Sequence, residues 1–166
     1  MAKDESFDVV SEVELQEVDN AYQQTQKELG QRYDLKDSKA RLEFDKGSQR
    51  FVLVAPSEFL ANQVIDVLNT KLVRRKVDLK SVKWGKPEAA AGMMIRLIGT
   101  IIQGIDKEVA DRINKDIRAL KLKNVRVQVE GNKLRVFSPK RDTLQEVITF
   151  LKEQDYGQPL QYINYR

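Results

Sequence analysis

The sequence predicts an α+β fold in which one β-α-β-β-α-β unit occurs twice. Three observations support this prediction. Apolar residues follow strand and helix periods in that order on two successive passes, and each pass has the length of a small domain. Capping and turn residues separate the segments, and a loop rich in Gly, Pro and Ala at residues 85–92 divides the passes. Such a unit packs two helices on one face of a four-stranded antiparallel sheet and leaves the other face open.

The first pass begins with a short β-branched strand at residues 6–10. Ser11 and Glu14 have the spacing of a capping box, which predicts a helix that ends near Gly30. Alternation on both sides of a turn at residues 45–48 predicts a hairpin, and residues 79–84 predict a weak last strand. Pro56 and Ser57 predict the start of the second helix. The apolar stripes of the two helices are Leu15, Val18, Tyr22 and Leu29, and Leu60, Val64, Leu68 and Leu72.

The second pass repeats this order from Met93. An apolar strand at residues 93–103 ends at Gly104, and Asp106 predicts the cap of a helix. Alternating valines up to a turn at residues 130–132, followed by residues 133–137, predict the clearest hairpin of the chain. Ser138 and Pro139 predict the start of the last helix, with proline at its first position. Residues 160–165 supply the final strand.

Missing residue types exclude most kinds of catalytic site. The 166 residues include neither His nor Cys. The protein therefore lacks the usual groups for histidine acid–base chemistry, cysteine nucleophiles and zinc sites. Gly99 and Gly104 have the spacing of a phosphate-binding loop, but Ile105 and Asp106 follow where Lys and Ser or Thr are needed. We expect a protein that is not an enzyme, with no catalytic residues, no metal site and no cofactor.

The N-terminal region and the longest apolar stretch favour a cytoplasmic protein. Asp4, Glu5 and Asp8 occupy the region where a secretory signal would be basic and then apolar. Arg96 interrupts the long apolar stretch well before the roughly 18 residues that a membrane-spanning helix requires. We therefore expect no membrane association.

The second hairpin carries the candidate binding residues. If its valines and leucines face the helices, period-2 alternation sends the intervening side chains to the open face. These are Arg126, Gln128, Lys133, Arg135 and Phe137. Cations, an amide and an aromatic ring suit phosphate pairing, base-edge hydrogen bonds and base stacking. The alternative is that the cations only keep an exposed sheet soluble and Phe137 packs against the other domain.

Net charge permits a polyanionic partner without requiring one. The chain carries a net charge of +4, with −2 in residues 1–80 and +6 in residues 81–166. In sequence the second half is therefore the basic one.

Three ordered segments resemble signature segments of the bacterial YajQ family. They are residues 6–13, residues 103–106, and residues 157–162 with Asn164. The resemblance covers essentially the whole chain. It implies two tandem ferredoxin-like domains, similar to RNA-recognition modules, that exchange their first strands. Domain 1 would then contain residues 13–103, with residues 93–103 as its first strand, and domain 2 would contain residues 104–166 plus the N-terminal strand 1–12. This exchange would remove the charge difference between the halves.

The resemblance also implies a nucleotide or nucleic acid as partner. Candidate ligands are a nucleotide, a cyclic dinucleotide such as cyclic di-GMP, or RNA, bound on the open sheet face or in the groove between the domains. Residues 132–137 depart from the third-strand pattern of RNA-recognition modules, because Phe137 is the one outward aromatic and the matching glycine is missing. A small nucleotide or a backbone-led RNA contact is therefore favoured over sequence-specific RNA reading. The alternative function is a protein–protein adaptor or regulator whose open sheet docks a protein partner.

Overall fold

The computed structural model describes residues 4–166, and these form a mixed α/β protein with four helices and two antiparallel sheets. In chain order the elements are β1 (Glu5–Val10), α1 (Leu15–Gln31), β2 (Arg41–Asp45), β3 (Arg50–Ala55), α2 (Glu58–Arg74), β4 (Val82–Trp84), β5 (Glu88–Ala90), β6 (Met94–Ile101), α3 (Lys107–Ala119), β7 (Arg126–Glu130), β8 (Lys133–Ser138), α4 (Arg141–Lys152) and β9 (Gln161–Ile163). Among the described residues, each helix is too short or too polar to cross a bilayer.

The chain divides into two compact units. The central unit contains residues 13–102, and the terminal unit contains the chain up to Glu12 together with residues 103–166. The boundaries predicted from the sequence differ from these units in the placement of Gln103. The central unit has 15 Lys and Arg against 12 Asp and Glu, and the terminal unit has 14 against 13. Neither unit is strongly basic, so any attraction for an anion must come from local arrangement.

The two sheets have the same arrangement of strands. The terminal sheet has the order β7-β8-β1-β9, and the central sheet has the order β2-β3-β6-β4, with β5 also pairing with β6. The strand β1 is thus separated from β8 by more than a hundred residues of chain and pairs with it antiparallel, from Glu5 opposite Ser138 to Val9 opposite Leu134. The β-α-β-β-α-β order seen in the sequence recurs in the structure, and β1 and β6 hold equivalent places in the two sheets.

Each unit has its own apolar core between its sheet and its two helices. The central core includes Phe51, Leu53, Leu68 and Leu72, and the terminal core includes Phe7, Val9, Ile113, Leu134, Val136 and Leu151. In the central core, Phe51 stacks on Phe44 with ring centroids 4.7 Å apart and lies 6.0 Å from Trp84. The Trp84 ring covers Gly99, where an added Cβ would lie 2.9 Å from a ring carbon. Gly99 is therefore a packing residue of β6.

The predicted helix caps are partly confirmed. Ser57 and Asp106 cap α2 and α3, and their side chains accept hydrogen bonds from the N–H groups of Leu60 and Val109. The capping box at Ser11 is wrong, because the chain stays extended there and α1 begins only at Leu15.

Two further details of the sequence prediction are wrong. Pro139 is not the first residue of α4, because Ser138 still pairs with Glu5 in the sheet and the helix begins at Arg141. The loop at residues 85–92 contains β5, which pairs with the first half of β6. Alanines and a glutamate carry little strand propensity, so composition does not indicate this short strand.

Candidate functional site

All five predicted binding residues lie on the open face of the terminal sheet. Arg126 is opposite Phe137, and Gln128 is opposite Arg135, so each pair shares one face. The helix-facing residues of β8 are fully buried, as alternation requires. The five residues on the open face are Arg126 and Gln128 in β7 and Lys133, Arg135 and Phe137 in β8.

A buried carboxylate, Asp8, lies in the middle of this face. Arg135 Nε donates a hydrogen bond to Oδ1 of Asp8 at 2.8 Å, and Asn164 Nδ2 donates to Oδ2 at 2.8 Å. Lys133 Nζ lies 3.4 Å from the same Oδ2. Burial alone would raise the pKa of Asp8, but the hydrogen bonds from Arg135 and Asn164 and the charges of Arg135 and Lys133 outweigh it and lower the pKa to about 2. Asp8 is therefore ionised at neutral pH.

The cations of this face are paired with carboxylates. Arg135 also lies 3.8 Å from Glu130, and Nη2 of Arg126 lies 2.7 Å from Oδ2 of Asp4. Together with the contacts of Asp8, these ion pairs set three cations against three anions. The cations are Arg126, Lys133 and Arg135, and the anions are Asp4, Asp8 and Glu130. The open face is thus close to neutral. Only 19% of the Arg135 side chain is exposed, and its guanidinium is held against the buried carboxylate of Asp8.

Arg126 is an exposed cation of this face and lies over the half-buried ring of Phe137. The Arg126 guanidinium carbon lies 4.7 Å from the centre of the Phe137 ring, which is cation–π geometry. The Arg126 side chain is 67% exposed, so its charge is weakly held by the pair with Asp4. A planar ligand group can stack on this ring, and its phosphate can exchange with the carboxylate of Asp4 at the guanidinium.

A concave pocket of about 580 Å³ adjoins this pair, between the end of α3 and β7. It brings together two guanidinium groups, two side-chain amides, one aromatic ring and four aliphatic side chains. Arg118 forms no ion pair with any of residues 4–166, so its charge is available. The lining residues are Asn114, Ile117, Arg118, Leu122, Val125, Arg126, Val127, Gln128 and Phe137. The lining therefore combines aliphatic side chains with a few polar groups, as in many ligand sites.

Three of the predicted residues, Arg126, Gln128 and Phe137, line this pocket, whereas Lys133 and Arg135 face Asp8 beside it. Sequence reasoning missed Asn114 and Arg118. Both lie on one side of α3, one helical turn apart, but only tertiary structure places that side next to β7. Sequence reasoning also missed the roles of Asp8 and Asn164.

Hydrogen bonds join the three segments that resemble the YajQ signature. The N–H of Gly104 donates to the carbonyl of Ser11 at 2.7 Å, and Nε2 of Gln158 donates to the carbonyl of Gly104 at 2.7 Å. The N–H of Glu12 donates to Oε1 of Gln161 at 2.8 Å. Gly104 adopts a left-handed φ of 76°, which glycine accommodates without strain. These segments therefore fix how β1 enters the terminal sheet.

Comparison with known proteins gives a consistent result. A family profile described as "Nucleotide-binding protein YajQ-like" matches residues 5–166. A nucleotide-binding protein of Desulfitobacterium hafniense is 46% identical over 166 residues, which is all of both chains. One from Bacillus cereus (strain AH187) is 47% identical over 166 residues of both chains, and one from Nocardia farcinica is 46% identical over 98% of this chain and 99% of its own. The chain belongs to the YajQ-like family.

Proposed function

We propose that this protein binds a nucleotide, a cyclic dinucleotide such as cyclic di-GMP, or RNA, without chemically changing it. The site is the pocket between α3 and β7 together with the adjoining open sheet face. The names of the relatives support a nucleotide as ligand. The absence of His and Cys from the sequence supports binding without catalysis.

One observation carries the proposal: the exposed Arg126 and the half-buried Phe137 ring line a pocket together with Arg118, which forms no ion pair within residues 4–166. A base stacks on the Phe137 ring. Arg126 then either covers the face of the base that points away from the ring or pairs with the phosphate of the ligand. Arg118 supplies a phosphate contact that requires no existing ion pair to break. Asn114 and Gln128 provide amide donors and acceptors for a base edge.

Lys133 and Arg135 have a second role in the proposed site. Both contact Asp8, and Asn164 completes the set, so this network fixes β8 next to the pocket. A ligand phosphate that reaches Arg135 must compete with a buried carboxylate held at 2.8 Å. The main phosphate contacts therefore come from Arg126 and Arg118.

We further propose that each unit is a ferredoxin-like domain whose first strand comes from the other half of the chain. The strand orders β7-β8-β1-β9 and β2-β3-β6-β4 support this, because β1 and β6 hold the same place in their sheets. In an unexchanged chain, β1 would pair with β3 and β6 with β8. The exchange brings Asp8 to Arg135 and therefore shapes the proposed site.

Titration of the purified protein with nucleotides, cyclic dinucleotides and short RNAs tests the proposal. At least one ligand should bind. Binding of that ligand should be weaker in each of the variants Arg118→Ala, Arg126→Ala and Phe137→Ala. For Phe137→Ala the lost stacking should cost roughly 1 to 3 kcal/mol of binding free energy. Added salt should weaken parent binding, and the two arginine variants should show shallower salt dependence.

The central unit supplies the matched control. Arg41 of β2 lies opposite Val54 of β3, as Arg126 of β7 lies opposite Phe137 of β8. Arg41→Ala therefore removes an arginine at the same sheet position in the other unit. Unchanged affinity in the triple Arg118→Ala, Arg126→Ala, Phe137→Ala variant would place the site elsewhere. A protein that ignores the whole panel would favour the adaptor function.

A further inference from the structure

The outer edge of the terminal sheet is formed by β7, which pairs with a strand on one side only. A two-residue turn joins β7 to β8 between the paired residues Glu130 and Lys133. Hydrogen-bonded and non-hydrogen-bonded pairs alternate along antiparallel strands, so the N–H and C=O groups of Val127 and Val129 point away from β8. Free backbone groups of this kind are a template for another strand.

The sequence of β7 is complementary to itself. When two copies of Arg126–Glu130 run antiparallel with Gln128 opposite Gln128, Arg126 lies opposite Glu130 of the second copy. Val127 lies opposite Val129 in the same register. The outward backbone groups of the valines then form hydrogen-bonded pairs, and the charged residues occupy the closer, non-hydrogen-bonded positions. Backbone and side chains thus favour the same register.

The side chains of β7 are available for such pairing. Val129 is 47% exposed, although it lies on the helix-facing side of the strand. Within residues 4–166 the Glu130 carboxylate has one ion pair, the long 3.8 Å contact with Arg135, and Arg126 is 67% exposed. An opposite charge from a second copy can therefore reach both residues, and Val127 of that copy would cover Val129.

The corresponding edge of the central sheet lacks this complementarity. Its edge strand, β2, places Arg41 and Asp45 at its two ends, as β7 places Arg126 and Glu130. At its centre, however, is Glu43 in place of Gln128. Two copies of β2 would bring two carboxylates directly opposite each other, which is destabilising.

We propose that β7 pairs with β7 of a second copy about a two-fold axis at Gln128, so that two four-stranded terminal sheets become one continuous sheet. A five-residue strand buries less surface than the roughly 1,200 Å² of a stable interface. The dimer is therefore weak and dissociates on dilution. The second copy is favoured over another partner because both the charges and the valines of β7 complement this same strand.

Sedimentation velocity of the nucleotide-free protein, from low micromolar to near-millimolar concentration, tests this proposal. The parent should show a reversible monomer–dimer equilibrium. Arg126→Glu and Glu130→Arg should each raise the dimer Kd at least tenfold, because each places like charges opposite each other at two symmetry-related positions. An equimolar mixture of the two variants should restore dimerisation, because every introduced charge then faces an opposite charge.

Two further variants separate this interface from a general charge effect. Gln128→Glu gives β7 the central carboxylate of β2 and should weaken the dimer, whereas Arg41→Glu in β2 should leave it unchanged. Circular dichroism verifies that each variant is folded. A parent that stays monomeric throughout the range, or a mixture that fails to restore the dimer, overturns the proposal. Because no nucleotide is present, this result is independent of the proposed binding function.

Discussion

The open faces of the two sheets are built on the same strand arrangement but differ in chemistry. In the terminal sheet, Asp8 of β1 is opposite Arg135 of β8. At the equivalent place in the central sheet, Ile98 of β6 is opposite Val52 of β3. One sheet thus holds an ion pair where the other holds two aliphatic side chains. The strand arrangement therefore accommodates either an ion pair or an aliphatic pair at this place, and the fold does not require the ion pair.

This difference indicates why the ion pair is present. Buried ion pairs contribute little net stability, because desolvation offsets most of the Coulomb attraction, and apolar replacements are often neutral or better. The pair of Val52 and Ile98 is such a replacement within the same chain. We infer that Asp8 and Arg135 specify position: together with Lys133 and Asn164 they fix β1, β8 and the C-terminal segment beside the pocket.

The largest expected effect comes from breaking this pair on one side. Asp8→Ala leaves Arg135, Lys133 and Asn164 without their shared acceptor. We expect the free energy of unfolding of the terminal unit to fall by about 3 kcal/mol. This value is at the low end of the losses seen when one partner of a buried ion pair is removed, because Arg135 reaches solvent. Hydrogen exchange at Leu134 and Val136 measures this loss, and exchange at Leu53 in the central unit serves as an internal reference. An equal loss at Leu53 would contradict a local effect.

The second effect is the pH dependence that Asp8 gives to the stability of the terminal unit. The pKa of Asp8 falls from 3.8 to about 2 on folding. A lowered pKa stabilises the folded state above the unfolded value of 3.8, and this stabilisation is lost as the pH falls through 2. The shift corresponds to roughly 2 kcal/mol.

Unfolding by urea at pH values between 6 and 2 should show this loss in the terminal unit. Asp8→Asn removes the titrating group and should flatten that part of the profile. Ile98→Val, at the equivalent place of the central sheet, should leave its shape unchanged. A parent profile identical to that of Asp8→Asn would contradict the role of Asp8.

Much of the fold could be predicted from the sequence because hydrophobic period and turn residues are local signals. The hairpins at residues 41–55 and 126–138 follow from alternation alone. The caps at Ser11 and Pro139 could not be predicted correctly, because both residues belong to extended segments held by tertiary contacts. The carbonyl of Ser11 accepts a hydrogen bond from Gly104, and Ser138 still pairs with Glu5.

The candidate site was less predictable because most of it comes from distant parts of the chain. Alternation assigned the five open-face residues of β7 and β8, and the same rule applied to β1 would have placed Ser6 and Asp8 with them. The β-branched run at residues 6–10 indicates a strand but not its neighbours in the sheet, so it does not indicate that Asp8 pairs with Arg135. Arg118 is one of many helical cations in the sequence, and only the packing of α3 against β7 distinguishes it.

A third, smaller effect compares the two cores. Gly99 of β6 corresponds to Val9 of β1: Gly99 is opposite Trp84, and Val9 is opposite Tyr162. An added Cβ at Gly99 would lie 2.9 to 3.0 Å from three atoms of the Trp84 ring, and this partly buried ring, packed against the core, moves less freely than the end of a flexible side chain. We expect Gly99→Ala to cost roughly 1 to 2 kcal/mol in the stability of the central unit.

Gly85→Ala is the matched control for Gly99→Ala, because its added Cβ would make only an ordinary 3.6 Å contact with the carbonyl oxygen of Ile98. Thermal unfolding and the fluorescence of Trp84 measure both effects. If Gly99→Ala matches Gly85→Ala in stability and in emission, the tight packing of the Trp84 ring on β6 is not the reason for glycine at this position.

The smallest expected effect gives the terminal sheet the apolar pair of the central sheet. In the double variant Asp8→Ile, Arg135→Val, no carboxylate is left without its arginine, and aliphatic side chains fill the place of the ion pair. We expect its stability to lie within about 1 kcal/mol of the parent, well above that of Asp8→Ala.

Nucleotide affinity should fall more than stability does, because Lys133 and Asn164 lose the acceptor that orders β8 beside Phe137. Calorimetric titration together with urea unfolding separates the two quantities. If the double variant is as unstable as the single variants Asp8→Ile and Arg135→Val combined, the ion pair itself stabilises the sheet. A role in positioning the pocket is then not needed to explain why the ion pair is present.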